Sequence, residues 1–145
     1  MALQPPVQRA TRSLVSAGLA AASRALRGFD DPLSRDCLQI AQELWERTKE
    51  KNTLQRVEPA VELLLATKDK KYADFLVSET REISQHIEQM GWIAGRSLPL
   101  VNDQNYTNSL RAAVKAYRAR VDGSAIELAC AVRRAPCALA LETAT

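Results

Sequence analysis

The chain offers few side chains for nucleophilic or metal chemistry. His86 is the only histidine, so any Ser-His-Asp or Cys-His catalytic set would have to use it. It lies among apolar residues in a helical pattern, which favours a structural or surface role. Cys37, Cys130 and Cys137 follow neither zinc nor redox spacing. No glycine-rich phosphate-binding motif is present, so we predict no metal site and no nucleotide cofactor.

Paired carboxylates could hydrolyse a glycosidic bond, because one acid protonates the leaving group while the other activates a water. The candidate acids for this role are Asp30, Asp31, Asp69, Asp74, Asp103 and Asp122. Asp30 and Asp31 precede a proline at a helix start, where Asp31 can cap the helix. Asp69 and Asp103 also fit turns or caps. No pair has a catalytic context, so the sequence assigns no catalytic residue.

The segment from Gly91 to Pro99 contains two glycines and a proline, which predict a loop. An aromatic side chain in such a loop can present a flat face to a sugar ring. Trp92 is therefore the one candidate for substrate binding, although a loop tryptophan more often anchors its loop on the core. Trp45 falls on the apolar stripe of a helix, which predicts a core position.

Helical periodicity covers most of the chain, and no segment alternates with period two as a strand would. Helices are predicted over about 8–26, from Asp31 through Trp45, and over a short run introduced by Glu58 and Pro59. That run is apolar on most sides, so we expect neighbours to pack against it on more than one side. Another helix is predicted from about Lys71, with Tyr72, Phe75, Leu76 and Ile83 inward, and the last over about 103–121, with Leu110, Val114, Tyr117 and Val121 on one face. Cys37 is expected to be a buried small residue within the second of these helices.

Such helical hairpins cannot bury both of their faces alone, so they stack into solenoids or close into α/α barrels. We therefore predict an all-α chain. Residues 1–123 form the helical segment, and residues 124–145, after Asp122 and Gly123, form a tail of uncertain structure because their periodicity is weak.

Charge and hydropathy exclude several classes of partner. The net charge is +3, and basic residues mostly alternate with acids along the helices, which argues against nucleic acid. No apolar run has the length of a membrane span. Residues 1–28 hold four arginines (Arg9, Arg12, Arg24 and Arg27) and no acid, a composition typical of a mitochondrial transit peptide, of a basic surface helix or of an ordinary barrel helix.

Two segments carry a resemblance to a known family. An Ala-rich stretch from Leu19 leads into Gly28-Phe29-Asp30-Asp31, followed by Cys37-Leu38-Gln39-Ile40-Ala41 and Trp45. This order resembles the catalytic domain of family 9 glycoside hydrolases, the cellulases or endoglucanases. Ala60-Val61-Glu62-Leu63-Leu64-Leu65-Ala66-Thr67, Lys71-Tyr72 and Ala112-Ala113-Val114-Lys115-Ala116-Tyr117 are similar in the same order, so the resemblance spans about 18–122.

The resemblance implies part of an (α/α)6 barrel from a domain that hydrolyses β-1,4-glucosidic bonds with inversion. Its D-A-G-D-like motif and its terminal Glu motif match no position here, so no catalytic residue is transferred. The chain is expected to be inactive alone and to self-associate through uncovered apolar faces. Family members are usually secreted or periplasmic, but no signal peptide is recognisable. The alternatives are a helical-repeat protein-interaction module without enzymatic activity and, third, a mitochondrial or membrane-surface helical protein.

Overall fold

The computed structural model describes residues 6–48 and 53–134, with side chains for residues 12–48 and 54–124. These residues form seven helices and no strand, which confirms the all-α prediction. The helices are α1 (Pro6–Leu26), α2 (Asp31–Arg47), α3 (Thr53–Thr67), α4 (Lys70–Ser78), α5 (Thr80–Gln85), α6 (Ile87–Ser97) and α7 (Gln104–Arg134). Within the described part of the chain, no helix has the length and apolar character needed to cross a membrane.

Helices α1 and α2 form a tight antiparallel hairpin. The Ser16 hydroxyl donates to the carbonyl of Ala41 at 2.8 Å, and the Ser34 hydroxyl donates to the carbonyl of Ser23 at 2.6 Å. Both bonds are buried, so each satisfies a polar group that would otherwise be costly in the core. The small residues along α1, among them the wholly buried Ala20, allow this close approach.

The turn between these helices depends on a glycine and two aspartates. Gly28 has φ +84°, a left-handed conformation that glycine adopts without steric cost. Asp30, and not Asp31 as predicted, caps α2 by accepting from the amide of Leu33 at 3.0 Å. Asp31 already belongs to the helix, and its carboxylate accepts from the amide of Gly28 at 2.9 Å. The cap shifts by one residue because the turn itself requires Asp31.

Helix α3 runs through the centre of the molecule. Its apolar run is packed on several sides, as predicted, and the following residues are at most 2% exposed: Val57, Ala60, Val61, Leu63 and Leu64. The predicted start at Glu58 and Pro59 is wrong, because α3 begins at Thr53 and contains Pro59. Proline removes one backbone hydrogen bond, and burial of the surrounding apolar residues offsets that loss.

Three short helices follow α3 in sequence. Asp69 caps α4 by accepting from the amide of Lys71 at 3.0 Å, and Tyr72, Leu76 and Ile83 point inward as predicted. The loop predicted for Gly91–Pro99 is wrong, because residues 87–97 form α6. Glycine disfavours a helix by about 1 kcal/mol, and packing outweighs that preference here: the buried side chains of α6 are Ile87, Ile93, Ala94 and Ser97.

Helix α7 is the longest element and continues past Gly123 to Arg134. Asp103 caps it, as predicted, by accepting from the amide of Tyr106 at 2.7 Å. The predicted apolar face comprises Leu110, Val114, Tyr117 and Val121, of which Leu110 alone is buried. Beyond Leu110, one side of α7 still borders α5 and α6, through Ala113 and through the ion pair of Arg120 with Glu88.

Six of the helices pack as three successive pairs, and the short helix α5 contacts α3, α4, α6 and α7. Helix α1 packs on α3, and α3 packs on α6, so these three form one row. Helices α2, α4 and α7 each contact the member of that row that precedes them in sequence. Contacts of Arg24 with Glu62, and of Arg27 with the carbonyl of Ala66, show that α1 and α3 run parallel. The three pairs therefore lie side by side in the order of the sequence.

Candidate functional site

Trp92 lies on α6 and not in a loop. Its side chain is 65% exposed, so it does not anchor a segment on the core either. Trp45, in contrast, is 4% exposed and makes edge-on contacts with Tyr72 at 5.5 Å and with Phe75 at 5.0 Å between ring centroids. The core prediction for Trp45 is confirmed.

Trp92 borders an open cleft of about 380 Å³ between α1, α3 and α6. Apolar side chains form most of its wall, and three longer polar side chains reach it. The lining residues are Ser13, Leu14, Leu54, Gln55, Glu58, Gln89, Met90, Trp92 and Ile93. An exposed aromatic ring can stack on an apolar or sugar ring of a ligand. The two amides and the carboxylate beside it can form hydrogen bonds with polar groups at the edge of that ligand. Glu58 is the one carboxylate in this lining, so the cleft lacks the acid pair that glycoside hydrolysis requires.

The largest concentration of buried charge lies at Glu62 on α3. This residue is 5% exposed and receives the guanidinium groups of both Arg24 from α1 and Arg96 from α6. The side chains of the two arginines remain 30% and 40% exposed. A buried carboxylate needs such partners, because an unpaired ion away from water is strongly disfavoured. Glu62 therefore connects α1, α3 and α6, the three helices of the row.

Sequence reasoning did not identify Glu62 as a special residue. It is the single charged residue between Ala60 and Ala66, in a run that was predicted to be packed on several sides. A charge inside such a run must be buried and must find partners on neighbouring helices. That signal was available from the sequence, but the identity of the partners was not, because it depends on how α1 and α6 are placed.

Arg56 is a partly buried cation that packs against aromatic rings. Its guanidinium carbon lies 3.9 Å from the centroid of the Trp45 ring and 4.8 Å from that of Phe75. Burial lowers the pKa of Arg56, and the nearby carboxylates of Glu46 and Glu79 partly oppose this. Stacking between aromatic rings suits a guanidinium, because its flat faces are weakly hydrated. Arg56 thus fastens the start of α3 to α2 and α4.

The six candidate aspartates do not assemble into an acid pair. Asp30, Asp69 and Asp103 cap helices, and Asp31 closes the turn at Gly28. Asp74 is exposed on α4, and the carboxylate of Asp122 lies 3.5 Å from Nε of Arg118 on the exposed part of α7. Local roles therefore explain five of these aspartates without catalysis.

The remaining candidates are also structural in their surroundings. His86 lies between α5 and α6, half-buried, with Nδ1 3.1 Å from the carbonyl oxygen of Glu82. Cys37 is a free thiol and is partly buried, less than was expected. Cys130 and Cys137 lie outside the residues whose side chains are described. Among those that are described, no three His, Cys, Asp or Glu residues are grouped as metal ligands would be.

Comparison with known proteins adds no assignment, since no family model, no curated protein and no solved structure matches this chain.

Proposed function

We propose that this chain forms consecutive hairpins of an (α/α)6 barrel of the family 9 glycoside hydrolase type. In this proposal the complete domain hydrolyses β-1,4-glucan, and the chain alone does not, because it lacks the two catalytic acids. The proposal rests on the ordered sequence resemblance over about 18–122 and on the stacking of three helix pairs.

The distribution of exposed apolar side chains is the observation that supports it best. Large exposed hydrophobic residues lie only on the first and last pairs among the described residues: Leu14, Val15, Phe29, Leu33, Ile40, Trp92, Val114, Tyr117 and Val121. The described parts of α3, α4 and α5, in the middle of the row, carry none. Apolar surface confined to both ends of a stack is what a section of a longer array exposes, because each missing neighbour leaves one face uncovered.

A chimaera tests the barrel proposal directly. Residues 18–122 replace the matching segment of an active family 9 catalytic domain, which keeps its own two catalytic acids. We expect a soluble chimaera that releases reducing sugar from carboxymethylcellulose. The matched control carries the same insert with Leu63 and Leu64 changed to Asp, which should abolish folding of the row. An insoluble chimaera, or a folded one without hydrolysis, contradicts the proposal.

The isolated chain gives a second test. We expect no hydrolysis of carboxymethylcellulose and concentration-dependent self-association in sedimentation velocity, because both ends of the stack expose apolar residues. A monomer that unfolds in one cooperative transition and does not bind a hydrophobic dye would count against an incomplete barrel.

The exposed face of α7 favours a second candidate, a helical-repeat interaction module without enzymatic activity. Val114, Tyr117 and Val121 are 49%, 37% and 46% exposed. They lie on the same face of α7 as Leu110, which is buried. A module of this kind would bind a protein helix on that face. Hydrolysis by the chimaera supports the barrel, whereas a dead chimaera together with tight capture of a helical partner supports the module.

A further inference from the structure

The exposed part of α7 has the pattern of one strand of a coiled coil. Leu110, Val114, Tyr117 and Val121 are separated by four, three and four residues, so they form a narrow seam along one face. Leu110 is 4% exposed because the body of the protein covers it, and the next three are uncovered. Val114, Tyr117 and Val121 therefore remain about half exposed on a helix whose other side borders α5 and α6.

The charges beside this seam are mostly basic. Arg111 and Arg118 directly follow the seam residues Leu110 and Tyr117, and Arg120 directly precedes Val121. These are the flanking positions at which coiled-coil partners exchange ion pairs. Asp122 offsets part of the charge through its contact with Arg118, and Glu88 of α6 lies 3.5 Å from Arg120. Arg111 and Lys115 keep the exposed segment positive.

This pattern distinguishes between possible occupants. A second copy of α7 would bring arginines opposite arginines, which destabilises pairing. An anionic membrane would attract the charges, but a seam of two valines and a tyrosine offers little apolar surface to insert. A helix with its own apolar seam and acidic flanks would cover the exposed apolar residues of α7 and would also form ion pairs with the arginines beside them.

We propose that α7 between Arg111 and Val121 binds an acidic amphipathic helix of another polypeptide as a two-stranded coiled coil. The inference rests on the interaction-module candidate and names the partner of its exposed face, since in the barrel proposal a further hairpin of the same domain would cover that face.

Two synthetic helices of the same length test the proposal against the full chain. Both carry Val and Leu at the seam positions; the acidic probe has Glu at every flanking position, and the basic probe has Lys. Fluorescence anisotropy of the labelled probes is measured at low and at physiological salt. We expect the acidic probe to bind at least tenfold more tightly than the basic one, with the preference weakening as salt screens the ion pairs.

Variants of α7 identify the bound face. Val114→Asp combined with Val121→Asp should weaken binding of the acidic probe at least tenfold. Ala119→Asp, an exposed position on the opposite side of α7, is the matched control and should change it less than twofold. Arg111→Glu combined with Arg118→Glu should reverse the preference toward the basic probe. These positions are exposed, and circular dichroism of each variant confirms that the body stays folded.

Other results would overturn the inference. Equal binding of the two probes would exclude charge recognition, and an equal loss with Ala119→Asp would exclude the seam. A homodimer that Val121→Asp dissociates in sedimentation would identify a second copy as the occupant. Co-sedimentation with phosphatidylglycerol vesicles that the same variant abolishes, without binding of the acidic probe, would identify a membrane surface.

Discussion

Replacing Glu62 by glutamine should destabilise the protein more than any other single-atom change in α3. The substitution keeps the size of the side chain and removes its charge. Glu62 is 5% exposed and holds Arg24 and Arg96 from two neighbouring helices. After the change, both guanidinium groups face a neutral amide, and one of the two must face an NH₂ group that donates rather than accepts.

The magnitude follows from burial and from the number of partners. Removing one member of a fully buried ion pair costs about 3 to 5 kcal/mol, because the remaining charge stays desolvated. Here the side chains of Arg24 and Arg96 are 30% and 40% exposed, so water can partly solvate each guanidinium group after the carboxylate is lost. We therefore expect a loss of about 2 kcal/mol in the free energy of unfolding, near the value for one charged hydrogen bond. For a chain of this size that loss lowers Tm by roughly 7 °C.

Urea unfolding followed by circular dichroism measures this loss. Glu58→Gln is the matched control, since Glu58 lies one turn earlier on α3 and is less buried; it should change stability by less than about 0.5 kcal/mol. A double-mutant cycle with Arg24→Met should give a coupling energy above about 0.5 kcal/mol. If Glu62→Gln matches the control, or if the two substitutions are additive, the ion pairs contribute nothing and the argument from burial is wrong.

Three further predictions concern other parts of the fold. Trp45→Ala should cost about 3 to 5 kcal/mol because it opens a cavity beside Tyr72, while exposed Trp92→Ala should cost less than about 0.5 kcal/mol; paired thermal melts compare them. Burial raises the pKa of Tyr106, opposed by its hydrogen bond with a serine, so the folded state keeps a proton that the unfolded state loses above about pH 10. The unfolding free energy should therefore decrease as pH rises above that value, and the decrease should be smaller in Tyr106→Phe. The same dependence of unfolding free energy on pH in the two proteins would contradict this. Gly28→Ala should cost about 1 kcal/mol because φ is +84°, and an unchanged urea midpoint would refute it.

Local signals in the sequence predicted most of the helices. Capping aspartates and apolar periodicity placed α1, α2 and the start of α7, because these signals act within a few residues. Prediction failed where packing overrides local preference. Gly91 and Gly95 lie inside α6, and Pro59 lies inside α3, because buried neighbours on other helices stabilise those turns. Such contacts join residues far apart in sequence.

The candidate site was less predictable for the same reason. Trp92 is exposed, as a substrate-binding side chain would be, but it lies on α6 and not in the predicted loop. Its cleft needs residues from α1 and α3 that no spacing in the sequence connects to it. The pairing of Glu62 with Arg24 and Arg96 spans 38 and 34 residues. A periodic pattern indicates that a residue is buried, but not which residue covers it.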